Sequence, residues 1–314
     1  YSFVYDQIVS FGELISTQII SHYLNDKSIR NTWLDARNLV KTNSNYQEGE
    51  VDWQETERSI RESINPSLMY VTQGFIGSDP NYFTTTLGRE GSDYSAAIFA
   101  YCLKGENVTI WKDVAGVLNA DPRYFSQTQL LERIPYQEAI ELAFYGASVI
   151  HPKTLQPLQR LDIPLNVRSF LHPEQAGSSV CNVKELSPKI PCYIRKQHQH
   201  LLSLSSLDFS FIAEENISFI FNLLATYQIK VSLLQNSAIS FNLCIEDKYK
   251  NLSFLLEDLS KRFKVSCTEN VVLYTVRHAQ QDSFDFLGQD KEILLEQFAQ
   301  NTQQKIVRDE TLIL

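Results

Sequence analysis

The sequence predicts an α/β fold around a mostly parallel sheet, followed by a smaller α+β region of ferredoxin-like order. Three observations carry this. Over the first 170 residues, apolar runs of helical period alternate with short β-branched runs, the spacing of strand–helix units in a parallel sheet. Residues 171–192, "LHPEQAGSSVCNVKELSPKIPC", hold three prolines and little periodicity, and read as a crossing between domains. Beyond them the patterns recur as β-α-β-β-α-β. The expected organisation is therefore a domain over 1–170, a linker over 171–192, and a region over 193–314 built from two such modules.

Taken in order, "ELISTQIISHYL" places Leu14, Ile15, Ile19 and Tyr23 at helical spacing, and "NTWLDARNLV" and "LMYVTQGFIG" suit strands. A helix is predicted from about Asp93 to Leu103, then a strand "NVTIWKDV", a helix "YQEAIELAFYG", a short helix after "HPKT" and a strand "IPLNVRSF". In the tail, "HLLSLSSLDF" reads as strand and "NISFIFNLLATYQ" as helix, with two strands around "QNSA". A helix "NLSFLLEDLSKRF" follows, and "KVSCTENVVLYTVRH" reads as strand, turn, strand. A less complete echo runs from 271 to 312, with a short helix around "SFDFLGQ" and paired strands "KEILLEQF" and "QQKIVRDE".

With 314 residues and an apolar fraction of 43%, the chain can bury two cores. A net charge of −9, with no basic cluster longer than "KRFK", argues against a nucleic-acid partner. The five cysteines are odd in number, scattered and never in a C-x-x-C pair, so neither a disulfide framework nor a zinc site is indicated. No apolar run approaches 18 residues and no signal-peptide order is seen, so a cytoplasmic protein without a membrane partner is expected. The chain starts at Tyr1 rather than methionine, which points to a longer natural polypeptide.

The chemistry concentrates first in "TTTLGREGSDYSAAIFAYCL", residues 84–103. A glycine-flanked turn feeding a helix presents unpaired N–H groups and the positive end of the dipole to an anion. There Arg89 can grip a carboxylate and Asp93 can receive an ammonium, and an α-amino acid has both. The alternative is that Ser92 or Asp93 only caps the helix. A second stretch, "IWKDVAGVLNADPR", puts Lys112 and Asp113 at the carboxyl end of a strand, where open α/β sheets bind ligands, and ends on Arg123. Either stretch alone is also ordinary surface chemistry.

"FGELIST", "WLDAR", "TQGFIGS", "TTTLGREGSDYSAA", "WKDVAGVLNADPR" and "FYGASVIHPKTLQPL" occur in the order found in aspartate kinases, and over nearly its whole length the chain resembles that family. The resemblance implies an amino-acid-kinase-like fold with ACT regulatory modules in the tail. It also implies ATP-dependent phosphorylation of the aspartate side-chain carboxylate, the entry to lysine, threonine and methionine synthesis, with Mg²⁺ as the companion ion. Carried over, Arg89 grips the substrate carboxylate, Ser92 and Asp93 lie beside the substrate, and Glu13 meets its ammonium. Lys112 and Asp113, with Leu118 in the turn after them, fall where the family holds adenine and ribose, and Arg123 approaches the nucleotide phosphates. His151 is assigned a packing or capping role. Ser148 stands where many relatives have a nucleotide-binding lysine, which leaves ATP binding weaker or differently arranged.

Relatives also begin with a "KFGGTS" strand and turn that hold the transferred phosphoryl group. No such stretch occurs here, so about a quarter of the enzyme is expected to precede Tyr1, and the chain alone is expected to be inactive. Rival readings are another kinase of the same fold, acting on glutamate, acetylglutamate or a nucleotide, and a catalytically silent regulatory fragment. The ferredoxin-like tail is expected to pair into a homodimer. It would take an amino-acid effector, lysine or threonine, near Asn216, Ile217, Val231 and Ser232, where free N–H groups meet its carboxylate.

Overall fold

The structure, a computed structural model, describes residues 1–147, 150–208, 210–288 and 291–308. It divides into two compact units, Tyr1–Leu118 with Gln129–Lys189, and Asn119–Thr128 with Ile190–Leu314. The segment expected to link them contributes a strand to the first unit, because Val180 is wholly buried there, and the crossing lies at 189–190.

The first unit opens with helix α1 (Ser2–Asp26), strand β1 (Thr32–Leu34), and helices α2 (Ala36–Leu39) and α3 (Trp53–Ser63). Strands β2 (Tyr70–Thr72), β3 (Ile76–Ser78) and β4 (Thr84–Thr86) lead to helix α4 (Gly91–Leu103) and strand β5 (Val108–Lys112). Then come β6 (Arg133–Pro135), α5 (Tyr136–Tyr145), α6 (Pro152–Arg160), β7 (Leu165–Ser169) and β8 (Ser178–Cys181). β1 pairs in parallel with β2, β5 with β7 and β6 with β8, while β3–β4 and β7–β8 are antiparallel. Helix α2 starts where Asp35 accepts the Arg37 N–H, so "NTWLDARNLV" is half strand and half helix.

Helix α1 reverses the usual pattern. Of its expected apolar stripe only Leu14 is buried, while Ile15, Ile19 and Tyr23 are exposed, and Asp6, Ser10 and Ser21 face inward. The reason is a buried acceptor: the Asp6 carboxylate takes the N–H groups of Gln47 and Thr86 and the Thr86 hydroxyl, each at 2.9 Å. This polar contact, together with the packing of Leu14 and Phe3, seats the helix beside β4.

In the second unit, β9 (Cys192–Ser206), α7 (Glu214–Thr226), β10 (Lys230–Asn236), β11 (Ser240–Glu246), α8 (Leu252–Ser260) and β12 (Phe263–Arg277) give the expected ferredoxin-like order. A 3₁₀ turn over Asp285–Leu287, β13 (Ile293–Ala299) and β14 (Thr302–Arg308) complete a six-stranded antiparallel sheet, β10-β11-β9-β12-β14-β13. Helices α7 and α8 cover one face through Ile220, Leu224, Leu255 and Leu259. A second core of Leu201, Leu233, Cys244, Val271, Leu273, Leu295 and Ile306 draws on all six strands.

"KVSCTENVVLYTVRH" is one strand, not two around a turn. Its polar centre holds a bulge instead, at Asn270 (φ 55°), and β9 carries a matching bulge at His198 (φ 54°). Two left-handed residues on neighbouring strands bend the sheet without ending the ladder. The five cysteines are all free, and burial pushes the Cys102 and Cys244 thiols up to about 12, which makes them inert packing groups.

Candidate active site

The turn between β4 and α4 is shaped by its neighbours. Gly88 has φ 81°, and a Cβ there would lie 3.2 Å from the Gln47 carbonyl. Gly91 lies against Phe75, where a Cβ would come within 2.6 Å of the ring. Between them Glu90 takes the left-handed conformation (φ 54°) and is the N-cap by its backbone alone. Ser92 and Asp93 therefore lie inside the first turn, and neither caps the helix. The Phe75 N–H donates to Ser95 Oγ at 2.8 Å, and Ser95 donates to the Gly91 carbonyl at 3.0 Å, which locks the head of α4 onto 73–75. Arg89 and Ser92 stay exposed at this positively polarised end.

Lys112, the last residue of β5, reaches across to this turn. Its Nζ lies 2.8 Å from Asp93 Oδ2, and both side chains are mostly buried, at 22% and 15% exposure. The ion pair joins a residue assigned to the nucleotide to one assigned to the amino acid, so Asp93 does not face a ligand as a lone carboxylate. Asp113 is exposed, and Leu118 bridges to Leu130. Arg123 belongs to the second unit, where its guanidinium takes both Asp121 oxygens and holds that carboxyl below the usual range. Glu13 sits half-buried on α1, its carbonyl accepting the Thr17 hydroxyl at 2.7 Å. Ser148 lies outside the described residues. His151 is the N-cap of α6, accepting the Lys153 N–H at Nδ1, which is the capping role expected for it.

The profile of the amino acid kinase family matches residues 2–169. The chain belongs to the amino acid kinase family. Among its relatives, lysine-sensitive aspartokinase 3 of Escherichia coli K12 is 36% identical over 283 residues, covering 85% of this chain and 62% of the relative. The bifunctional aspartokinase/homoserine dehydrogenase 2 of Arabidopsis thaliana is 37% identical over 183 residues, 57% of this chain and 20% of that one. The chain thus spans less than two thirds of the length of these relatives. In three dimensions it superposes on E. coli aspartokinase III in complex with aspartate and ADP, the R-state, with a TM-score of 0.82 at 30% identity. That match covers 98% of this chain and 73% of the other. The same enzyme with lysine and aspartate, the T-state, gives 0.78.

Within this member of the amino acid kinase family, the expected effector residues lie in the second unit, and their backbone and side-chain groups have partners within it. The N–H groups of Asn216 and Ile217 both donate to the Ala213 carbonyl, at 3.0 and 3.2 Å, so neither is free as expected. Ser232 is the extra residue of a bulge in β10. Its hydroxyl donates to Gln199 Oε1 at 2.9 Å, whereas Val231 packs into the core beneath α7 and α8. Val231 and Ser232 meet different surroundings because successive strand residues point to opposite faces of the sheet.

Sequence reasoning left "TQGF" without roles, although it holds a buried polar side chain with three hydrogen bonds. Gln73 is 1% exposed. Its Oε1 accepts the Ala36 N–H at 2.8 Å, and its Nε2 donates to Thr17 Oγ1 at 2.8 Å and the Leu34 carbonyl at 3.3 Å. A glutamine between a β-branched run and a glycine was the available signal.

Proposed function

We propose that this protein is an aspartate kinase, transferring the γ-phosphoryl group of MgATP to the side-chain carboxylate of L-aspartate and releasing ADP and 4-phospho-L-aspartate. The observation that carries the reading is the Lys112–Asp93 ion pair. It ties the helix head bearing Arg89 and Ser92 to the carboxyl end of β5, so an amino acid and a nucleotide can be held side by side. The aspartokinase relatives support the choice of substrate.

The attacking oxygen needs no strong base, since an aspartate side chain with a pKa near 3.9 is ionised at neutral pH. Catalysis is then positioning and charge compensation. Arg89, free to swing over the turn, grips the α-carboxylate of the substrate through paired N–H donors. Ser92 hydrogen-bonds beside it, and Glu13 takes the ammonium. Asp93 acts through Lys112: it fixes the ammonium of that lysine at the end of β5, where its charge draws the nucleotide toward the acceptor. Asp113 and Leu118 complete the nucleotide side.

Among the described residues no cluster of three or more His, Cys, Asp or Glu can hold a metal. Magnesium would be carried mainly on the nucleotide phosphates, whose charge it would neutralise. The second unit takes a regulatory role with lysine or threonine as effector and pairs into a homodimer. The working compartment in this reading is the cytoplasm. Among the described residues no helix is long and apolar enough to cross a membrane.

The test is aspartate-dependent ADP release by the natural protein, with the acyl phosphate trapped as its hydroxamate. Turnover with aspartate but not glutamate is expected. Release that ignores aspartate, or prefers glutamate or acetylglutamate, overturns the assignment.

A further inference from the structure

We infer that Gln73 is a positioning residue for the amino-acid substrate, fixing the helix that carries Glu13 relative to the turn that carries Arg89, Ser92 and Asp93; this rests on the aspartate-kinase reading. The inference starts from burial. A primary amide sealed from water must satisfy its donors and acceptor internally, and Gln73 does so on three different elements: α1 through Thr17, β1 through Leu34 and α2 through Ala36.

Thr17 is itself a junction. Its hydroxyl accepts from Gln73 and from the Trp33 indole N–H at 3.0 Å, and gives its one proton to the Glu13 carbonyl. The backbone of Glu13 therefore hangs on the same oxygen that Gln73 grips.

In the other direction the chain runs from Gln73 directly into the substrate turn. A Cβ on Gly74 would lie 2.9 Å from Ser92 Cα, Cβ and Oγ, so the two backbones touch with no room for a side chain. Phe75, left-handed at φ 71°, then donates its N–H to Ser95. Three consecutive residues thus bolt α1 at one end and α4 at the other. A glutamine in this role sets the separation of the group that takes the ammonium from the groups that take the carboxylate. Its side chain makes none of its hydrogen bonds to β5, the nucleotide strand.

Gln73→Glu tests this, because a carboxyl, ionised or protonated, cannot both accept from Ala36 and donate to Thr17 and Leu34 together. In the natural protein the KM for aspartate should rise about 10- to 100-fold, with the KM for ATP within about twofold, since displacement of about 1 Å is costly only for the ligand it misaligns. Thr17→Val, which deletes the junction without burying a charge, should move the same constant. The double variant should be no worse than the poorer single one, as for residues acting through one bond. Equal rises in both KM values, or lowered thermal stability with an unchanged KM for aspartate in both single variants, would overturn the inference alone. A wild-type protein without aspartate-dependent turnover would overturn it together with the functional reading.

Discussion

Lys112 Nζ lies 2.8 Å from Asp93 Oδ2, across the gap between the end of β5 and the first turn of α4. The two residues are 19 positions apart, and what brings them together is the return of the chain along α4 to β5. Both are mostly shielded, so removing one partner leaves the other charge with little water to replace it.

This gives a first prediction. Lys112→Ala and Asp93→Ala should each lower kcat/KM, and the double variant should lose less than the sum, with a coupling of about 0.5–3 kcal/mol. A double-mutant cycle on steady-state kinetics measures it. Strict additivity would mean that the pair makes no common contribution to the transition state.

Arg89 is the opposite case, exposed at the head of the helix. Arg89→Ala should therefore leave thermal stability nearly unchanged while lowering kcat/KM for aspartate by about 10- to 100-fold, the worth of a charged hydrogen bond of roughly 1.5–3 kcal/mol. Aspartate titrations at saturating ATP, beside a melting curve, separate the two effects. A fall in stability with unchanged kinetics would place Arg89 in the fold and outside the site.

Particular residues show how much of this was legible. The helix over 91–103 and the strand over 108–112 follow from period and composition, so the residues at their ends could be named as a site. The pairing of Lys112 with Asp93 could not, because it depends on how α4 crosses β5. In α1 the helical spacing was visible but not the face that packs, since the buried side is polar and its partner, Thr86, lies 80 residues away. Gln73 stayed hidden for the same reason, its partners being recruited from α1, β1 and α2. In the second unit "TEN" reads as a turn, because a bulge and a turn use the same polar residues and differ only in whether the ladder resumes.

Asp79 ties the β3–β4 hairpin to the loop before α3, and it carries a pH prediction. Burial pushes its carboxyl up, but the N–H groups of Phe83 and Asn81 and the hydroxyls of Ser44 and Tyr46 outweigh that and hold it below the usual range. A depressed folded pKa gives stability that is present above the unfolded value, near 3.9, and lost as pH falls through the folded one. At neutral pH Asp79→Asn should thus be less stable by roughly 1.5–3 kcal/mol, and the difference should shrink once the pH drops below about 4. Urea unfolding of both proteins across that range checks it. A gap that widens in acid would show that the carboxylate is not stabilised by those donors.

The bend of the second unit rests on two residues in left-handed backbone, His198 in β9 and Asn270 in β12. Asparagine tolerates that region best, through its short polar side chain, and histidine, although also enriched there, still carries a Cβ that crowds the backbone. His198 is exposed, so its side chain contributes little to the core. His198→Gly should therefore stabilise the protein by about 0.5–1 kcal/mol, the released strain exceeding the extra entropy of glycine in the unfolded chain. Asn270→Gly should do less. His198→Val should destabilise, because a β-branched residue at positive φ would pull the bulge toward regular strand and shift the register between Lys196 and Gln199. Thermal melts of the three variants rank them, and a valine variant more stable than the glycine one would show that the bend is not set by the conformation of His198.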